Sequence, residues 1–259
     1  MILTRLPVCD KKQQLKEQHF HACWPVFPLV GLCIGALSSV FLVLSTYLIP
    51  LFPACVLVLI ATTLLTGAIH EDGFADACDG LFSGKQPEQA FDIMKDSRLG
   101  TFGVLGLIFL ITLKISILLT LAQYSLVLTC IALLTSHGFA RFNPLIIMAS
   151  LPVYQSTLSK LSNNLAIPSA KQIAILLLAY STALGLIIII IERLSFNHMA
   201  LSFSDTLQST LLSILIGLTS AGLCKVYLQR KLQSYNGDCL GFSEQLGELA
   251  ILLSFTLAV

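Results

Sequence analysis

The stretch HEDGFADACDGLFSG, residues 70–84, places three aspartates at the spacing of one helix face. Asp72, Asp76 and Asp79 are four and three residues apart, so on an α-helix their side chains project from one side, one turn apart. Three neighbouring carboxylates repel one another unless a cation lies among them, and oxygen ligands suit a hard ion such as Mg²⁺. The spacing therefore predicts a magnesium site, and the alternative is a solvated loop that is acidic by chance.

A second polar group follows in FDIMKDSRLGTFG, residues 91–103. Asp92 and Asp96 are again one helical turn apart, and Arg98 stands beside them. Carboxylates for a metal next to cations for phosphate are what phosphoryl transfer requires, because that chemistry is mostly positioning and charge neutralisation. Ordinary ion pairing on a helix surface is the alternative for this segment.

A third polar group lies in YNGDCLGFSEQLGELA, residues 235–250, where Asp238 precedes the last apolar run and Glu244 and Glu248 lie at its start. Acidic side chains at membrane depth are energetically costly and usually functional. The alternative is a helix N-terminal turn, where the helix dipole favours acids. Arg141 is a further charge inside an apolar run, where it can pair with one of these carboxylates or hold a substrate phosphate.

Long apolar blocks connect these polar segments. The chain has 259 residues, of which 56% are hydrophobic and 11% charged, with mean hydropathy +0.86, whereas soluble domains carry about 25% charged residues. A spanning helix needs about 20 apolar residues. The blocks predict an all-α, polytopic integral membrane bundle of about seven transmembrane helices, with a range of six to eight, in one membrane domain, 1–259. The predicted spans are 26–49, 51–69, 101–121, 124–148, 171–191, 207–224 and 241–259.

Lysine and arginine predict the orientation of the bundle, because they concentrate on the cytoplasmic side. With seven spans, twelve of these cations fall on one side, and the opposite loops hold only Arg193. The arm 1–24 lacks the apolar core and cleavage site of a signal peptide, so it is expected to be cytoplasmic. The acidic segments 70–100 and 235–250 are expected on the same side.

Composition also excludes several classes of site. The eight cysteines contain no C-x-x-C pair, so they are expected to be small buried hydrophobic residues rather than a disulfide framework or a zinc site. The formal net charge of +1 provides no basic field for nucleic acid.

The polar segments resemble the signature regions of a known family. DGFADACDG (72–80), IMKDSRLGTFG (93–103) and GDCLGFSEQLGE (237–248) are similar to those of the cobalamin synthases, the adenosylcobinamide-GDP ribazoletransferases. TRLPV (4–8) and FPLVGLCIGAL (27–37) resemble the N-terminal region of that family. The resemblance implies a multispanning enzyme of the bacterial inner membrane with its active site on the cytoplasmic side. Such an enzyme requires Mg²⁺, joins adenosylcobinamide-GDP to α-ribazole or its 5′-phosphate, and releases GMP.

The resemblance also assigns roles to individual residues. Asp76, Asp79 and Arg98 are expected to be catalytic, with either aspartate serving as a metal ligand or as the base that takes the hydroxyl proton. The implied metal ligands are Asp72, Asp76, Asp79, Asp96, Asp238 and Glu248. The implied substrate contacts are Arg98 and Arg141. Gly73, Gly80 and Gly100 lack side chains and are expected to leave room for a bulky substrate to approach the backbone.

Two positions depart from the pattern of the family. The family often has an acid where Gln245 stands, and the neighbouring Glu244 points about 100° away on a helix. After Pro152 the family tends to place an arginine where this chain has Gln155, and Lys160 is the candidate replacement. These departures bear on activity and substrate preference rather than on family membership.

Two other functions fit parts of the pattern. A CDP-alcohol phosphotransferase also uses clustered aspartates at a membrane edge, but its usual D-G-x-x-A-R is DGFADA here, residues 72–77. A cation-coupled transporter would hold its acids near mid-membrane between broken helices, whereas the acids here lie at the ends of predicted spans. Metal-dependent release of GMP separates the enzyme from the transporter.

Overall fold

The fold is helical throughout the part of the chain that the computed structural model describes, residues 24–154, 167–194 and 203–259. Within these ranges the only extended pairing is an isolated parallel bridge between Val153 and Tyr235, so the predicted all-α class is confirmed. The α-helices are α1 (Phe27–Thr46), α2 (Leu51–Thr66), α3 (Ile69–Phe82), α4 (Pro87–Met94), α5 (Thr101–Tyr124), α6 (Leu126–Phe139), α7 (Phe142–Ser150), α8 (Ala170–Leu194), α9 (Phe203–Lys231) and α10 (Gly237–Phe255).

Some sequence expectations lie outside the described residues. They are the N-terminal arm up to residue 23, the departure at Gln155 with its candidate replacement Lys160, and the outward loop near residue 198.

Among the described residues, five helical stretches are long and apolar enough to cross a membrane, and α2 and α3 together make a sixth if the bent pair counts as one span. A polytopic helical membrane bundle is therefore confirmed, but the count of five or six spans in the described residues is below the predicted seven and reaches the range of six to eight only with the bent pair. The helix α10, predicted to be the seventh span, is not among them, because it carries three acids in 19 residues. The five stretches are Trp24–Thr46, Thr101–Tyr124, Leu126–Ser150, Ala170–Ile191 and Ser204–Lys231.

The predicted span 51–69 ends early and turns into the acidic helix. Gly67 ends α2 in the left-handed conformation, with φ 74°, and Ala68 follows with φ 61°. The N–H of Ala68 donates to the carbonyl of Thr63 at 2.9 Å, and α3 then leaves at 90° to α2. Glycine adopts positive φ without a steric penalty, so Gly67 is the residue that makes this break possible.

The predicted span 124–148, which contains the charge of Arg141, is not a plain lipid-facing helix. Its counterpart is α6 followed by α7. In its apolar 18-residue stretch, 89% is buried inside the protein. The helix α1 packs along α6 at Gly31 and Gly35, where added side chains would collide with the backbone of His137 and Leu133. Because α6 and α7 lie inside the bundle, Arg141 at their junction is surrounded by protein.

Candidate active site

The crossing of α3 and α10 brings together acids that are far apart in the sequence. A Cβ atom on Gly73 would lie 3.1 Å from the Cα atom of Asp238, and one on Gly241 would lie 3.1 Å from the carbonyl oxygen of His70. Two glycines thus allow the helix backbones to approach closely. Asn236 caps α10 by accepting a hydrogen bond from the N–H of Cys239 at 3.0 Å, which fixes the start of the helix beside α3.

Three carboxylates at this crossing form what we call the acidic cluster: Asp72 and Asp76 on α3, and Asp238 on α10. Asp72 is exposed and Asp76 is partly buried, and Asp238 and Asp72 both act electrostatically on Asp76. Burial, together with the negative charge of Asp72, raises the pKa of Asp238 to about 6, even though Asn236 donates a hydrogen bond to its carboxylate at 2.7 Å. The cluster is a concentration of negative charge that a bound cation would stabilise.

The donor set of the acidic cluster fits Mg²⁺ bound together with a substrate. Within residues 24–154, 167–194 and 203–259, no group of three or more histidine, cysteine or acidic side chains is arranged to hold a metal ion. Mg²⁺ usually keeps several waters and is bound through one or two carboxylates plus substrate phosphates. A cluster of carboxylate oxygens that leaves ligand positions to a phosphate and to water meets that requirement.

Asp79, predicted to be a catalytic or metal-binding residue, holds the start of α5, and its negative charge also acts on Asp76 one turn earlier in α3. Its carboxylate accepts hydrogen bonds from the backbone N–H groups of Gly100 at 2.7 Å and Gly103 at 2.9 Å. These are among the N–H groups that a helix leaves without an intrahelical partner, and the negative charge also complements the helix dipole. The structure therefore gives Asp79 a clear role in joining α3 to α5.

The glycines predicted to leave room for a substrate have protein atoms beside them. A Cβ atom on Gly73 would meet Asp238, one on Gly80 would lie 2.8 Å from the carbonyl oxygen of Ala90, and one on Gly100 would overlap the Asp79 carboxylate. Their surroundings support a role in packing α3 against α10, α4 and the start of α5.

Asp96 and Arg98, predicted to bind metal and substrate, pair with each other at the surface. The Nη2 atom of Arg98 donates to Oδ2 of Asp96 at 2.6 Å, and the Arg98 side chain is 87% exposed. These hydrogen bonds lower the pKa of Asp96 to about 2. Because Arg98 lies in the segment leading to Gly100, it is close in sequence to the contact that joins α5 to α3, and its guanidinium is open to an anionic ligand.

Glu248, predicted to be a metal ligand, belongs to a different group that we call the buried charge network. Lys114 on α5 donates to Oε1 of Glu248 and to Oε1 of Gln245, each at 2.7 Å. The Nδ1 atom of His137 lies 3.4 Å from the other oxygen of Glu248. Both oxygens of Glu248 are thus engaged inside the bundle, and the structure does not bring this residue to the acidic cluster.

Arg141, predicted to contact substrate, is also inside the bundle and only 1% exposed. Its Nη1 atom donates to the carbonyl of His137 and lies 3.3 Å from Oε1 of Glu244. A cavity of about 30 Å³ lies beside these groups and is lined by α2, α3, α5, α6 and α10. Arg141 Nε, His70 Nε2 and Glu71 Oε2 are buried there without a hydrogen-bond partner.

No role was predicted from the sequence for Lys114 and His137. A lysine within the apolar run LIFLITLKISILL is the available signal, since an ionisable residue at membrane depth is functional until shown otherwise. Its partner was beyond prediction, because Glu248 is 134 residues away along the chain.

The fold and the site define a polytopic helical membrane protein with an acidic cluster assembled from two distant segments. Residues 1–256 match the family described as cobalamin-5-phosphate synthase. The chain therefore belongs to the cobalamin-5-phosphate synthase family, and it is an enzyme of the transferase class.

Relatives of similar length support this assignment. The adenosylcobinamide-GDP ribazoletransferase of Leptothrix cholodnii is 35% identical over 256 residues, covering 99% of this chain and 92% of the relative. The protein of the same name from Albidiferax ferrireducens is 32% identical, covering 90% and 85%, and the one from Leptospira interrogans is 30% identical, covering 100% and 93%. No solved structure matches the chain.

Proposed function

We propose that this protein joins adenosylcobinamide-GDP to α-ribazole, or to its 5′-phosphate, in a Mg²⁺-dependent reaction that releases GMP. The observation that carries the proposal is the acidic cluster, in which the close crossing of α3 and α10 brings Asp238 within electrostatic reach of Asp72 and Asp76 in a chain of this family. The names of the relatives supply the substrates, and the cluster supplies groups suited to diphosphate chemistry.

The proposed reaction is a displacement at phosphorus. The 3′-hydroxyl of the ribazole attacks the phosphorus attached to cobinamide, the bond from that phosphorus to the oxygen bridging to GMP breaks, and GMP leaves with that oxygen. One or two of Asp72, Asp76 and Asp238, together with substrate phosphate, would hold Mg²⁺, which would neutralise the diphosphate and the leaving phosphate. Asp76, partly buried in the middle of α3, is the carboxylate that we assign to accept the hydroxyl proton if it does not bind the metal directly.

Arg98 is assigned to the phosphate groups of the donor. In Arg98→Ala we expect kcat/KM for adenosylcobinamide-GDP to fall at least about 10-fold, because a hydrogen bond from a charged group contributes about 1.5–3 kcal/mol. Steady-state kinetics of the purified variant is the measurement. Lys85→Ala is the control, since Lys85 is an exposed cation outside the matched motifs, and equal losses in the two variants would remove Arg98 from the site.

We assign the acidic cluster to the cytoplasmic face of the inner membrane, because the twelve-to-one distribution of cations is unchanged if α2 and α3 form one bent span. Cys78 and Cys239 belong to this face but are buried, so an introduced thiol is needed to report it. Lys85→Cys should react with a membrane-impermeant maleimide only after lysis, whereas Tyr47→Cys, at a position 81% exposed, should react in intact cells. The unsubstituted protein measures background labelling, and the reverse pattern would invert the orientation.

The choice of donor tests the proposed function against its nearest alternatives. Purified protein in lipid is given Mg²⁺, α-ribazole and either adenosylcobinamide-GDP or a CDP-alcohol, with a chelated sample as control. We expect nucleotide release from the corrinoid donor alone, and only with Mg²⁺. Release from the CDP-alcohol would favour a CDP-alcohol phosphotransferase, and no release from either donor would leave the transporter as the better account.

A further inference from the structure

Three contacts connect the helices α3, α5 and α10, two of which carry the acidic cluster. Asp79 on α3 accepts the N–H groups that begin α5. Gly73 and Gly241 allow α3 and α10 to touch. The third contact is Lys114, which lies further along α5 and reaches α10 at two positions. The two helices that carry the acids are therefore both tied to α5.

The helix α10 carries Asp238 at its start and the partners of Lys114 further along. Gln245 and Glu248 follow Asp238 by seven and ten residues, so the three lie within about 80° of one another around the helix. At a rise of about 1.5 Å per residue, Glu248 is about 15 Å from Asp238 along the axis. Because a helix transmits rotation and translation along its length, a contact at Glu248 adds to the Asn236 cap and the glycine contacts in setting where Asp238 points.

Stability alone does not account for the buried charges. Lys114 is 5% exposed and Glu248 is 3% exposed, and removing two charges from water offsets much of their mutual attraction. Well-packed apolar residues of similar volume often stabilise a fold as well or better. Unlike an apolar contact, a hydrogen-bonded charge pair constrains the relative positions of its two helices. Here Lys114 donates to both Gln245 and Glu248.

We propose that Lys114 is a positioning residue for the metal site. By holding Gln245 and Glu248, it fixes the rotation and register of α10 and thereby aims Asp238 at the two aspartates of α3. The inference rests on the metal site of the proposed function. It assigns control of metal affinity to a residue that lies on a different helix from every member of the acidic cluster.

The test uses a variant that removes the charges as a pair. Lys114→Met alone leaves Glu248 without its lysine and is expected to lower the melting temperature by about 10 °C. Lys114→Met combined with Glu248→Gln removes one positive and one negative charge and keeps an acceptor for His137. We therefore expect the double variant to recover most of the lost melting temperature. The Kd for Mn²⁺, measured by electron paramagnetic resonance with Mg²⁺ competition, should nevertheless rise at least ~10-fold. Lys171→Met, which removes an exposed lysine of α8, should change neither quantity.

A second variant keeps the proposal testable if neither lysine variant folds. Gln245→Leu removes one acceptor of Lys114 without changing the charge, and we expect it to raise the Kd for Mn²⁺ about 3-fold or more, by analogy with other outer-shell changes. A folded charge-pair variant, or a folded Gln245→Leu, with unchanged Mn²⁺ affinity would overturn the positioning role.

The two proposals fail in different ways. Unsubstituted protein that binds Mn²⁺ but releases no GMP counts against the proposed function alone, and the affinities of the variants then decide the positioning role. Unsubstituted protein that binds no Mn²⁺ overturns the positioning inference.

Discussion

Asp76→Asn is expected to abolish turnover at Mg²⁺ concentrations that saturate the unsubstituted protein, and to weaken Mn²⁺ binding at least ~10-fold. The asparagine has nearly the same shape but removes one negative charge from a cluster in which Asp72 and Asp238 act on position 76. It also removes the group assigned to accept the hydroxyl proton. GMP release across a Mg²⁺ titration and Mn²⁺ binding by electron paramagnetic resonance measure the two effects separately.

Asp92→Asn is the matched control for this prediction. Asp92 is an exposed acid on α4, outside the acidic cluster, and it is expected to have a much milder effect on rate and metal affinity. An Asp76→Asn variant that works at the normal rate when Mg²⁺ is limiting would show that Asp76 is neither a ligand nor the base.

Asp79→Ala is expected to lower the free energy of unfolding by about 1–3 kcal/mol, because the N–H groups of Gly100 and Gly103 lose a charged acceptor in a partly buried position. Asp79→Asn keeps one acceptor oxygen and should lose less. Thermal and denaturant unfolding in detergent measure the difference. Once folded, Asp79→Asn should retain Mn²⁺ binding within about 3-fold, since an outer-shell position costs more than that only when it orients a ligand.

A pair of glycine variants tests the same contact from its other side. Gly103→Ala would drive a methyl group into the Asp79 carboxylate and to 2.9 Å from the carbonyl oxygen of Ala75, so it should destabilise the protein by about 1–3 kcal/mol. Gly185→Ala, in α8 with no atom within 4 Å of the added methyl, should be neutral or stabilising. If Asp79→Ala is as stable as the parent and loses metal instead, Asp79 is a ligand rather than a cap.

Local periodicity predicted the helical elements well, because it depends only on residues a few positions apart in the sequence. The spacing of Asp72 and Asp76 placed both on one face of a helix, and α3 has them there. The apolar blocks located most of the long helices to within a few residues, but α9 extends seven residues past its predicted end at 224, and the span 124–148 is divided into α6 and α7. The break after α2 was missed because it depends on positive φ at Gly67 and Ala68, and an isolated glycine in an apolar run does not reveal its φ.

Sequence spacing could not separate the carboxylates of the acidic cluster from those that hold helices together. Asp76 and Asp79 share the helix face and the motif, yet only Asp79 faces the N–H groups of α5, 21 and 24 residues away. Glu248 matched a family signature equally well and is engaged by Lys114 instead. In each case the deciding partner is distant in sequence, and only tertiary packing determines which carboxylate it meets.

The most direct test of the proposed function is the stoichiometry of a single reaction. Detergent-purified protein is mixed with Mg²⁺, adenosylcobinamide-GDP and α-ribazole or its 5′-phosphate, and corrinoids and nucleotides are separated by chromatography. We expect one GMP for each cobalamin or cobalamin 5′-phosphate formed, and neither product when Mg²⁺ is chelated. A folded protein that binds Mn²⁺ at the acidic cluster but forms no GMP with either ribazole would contradict the account.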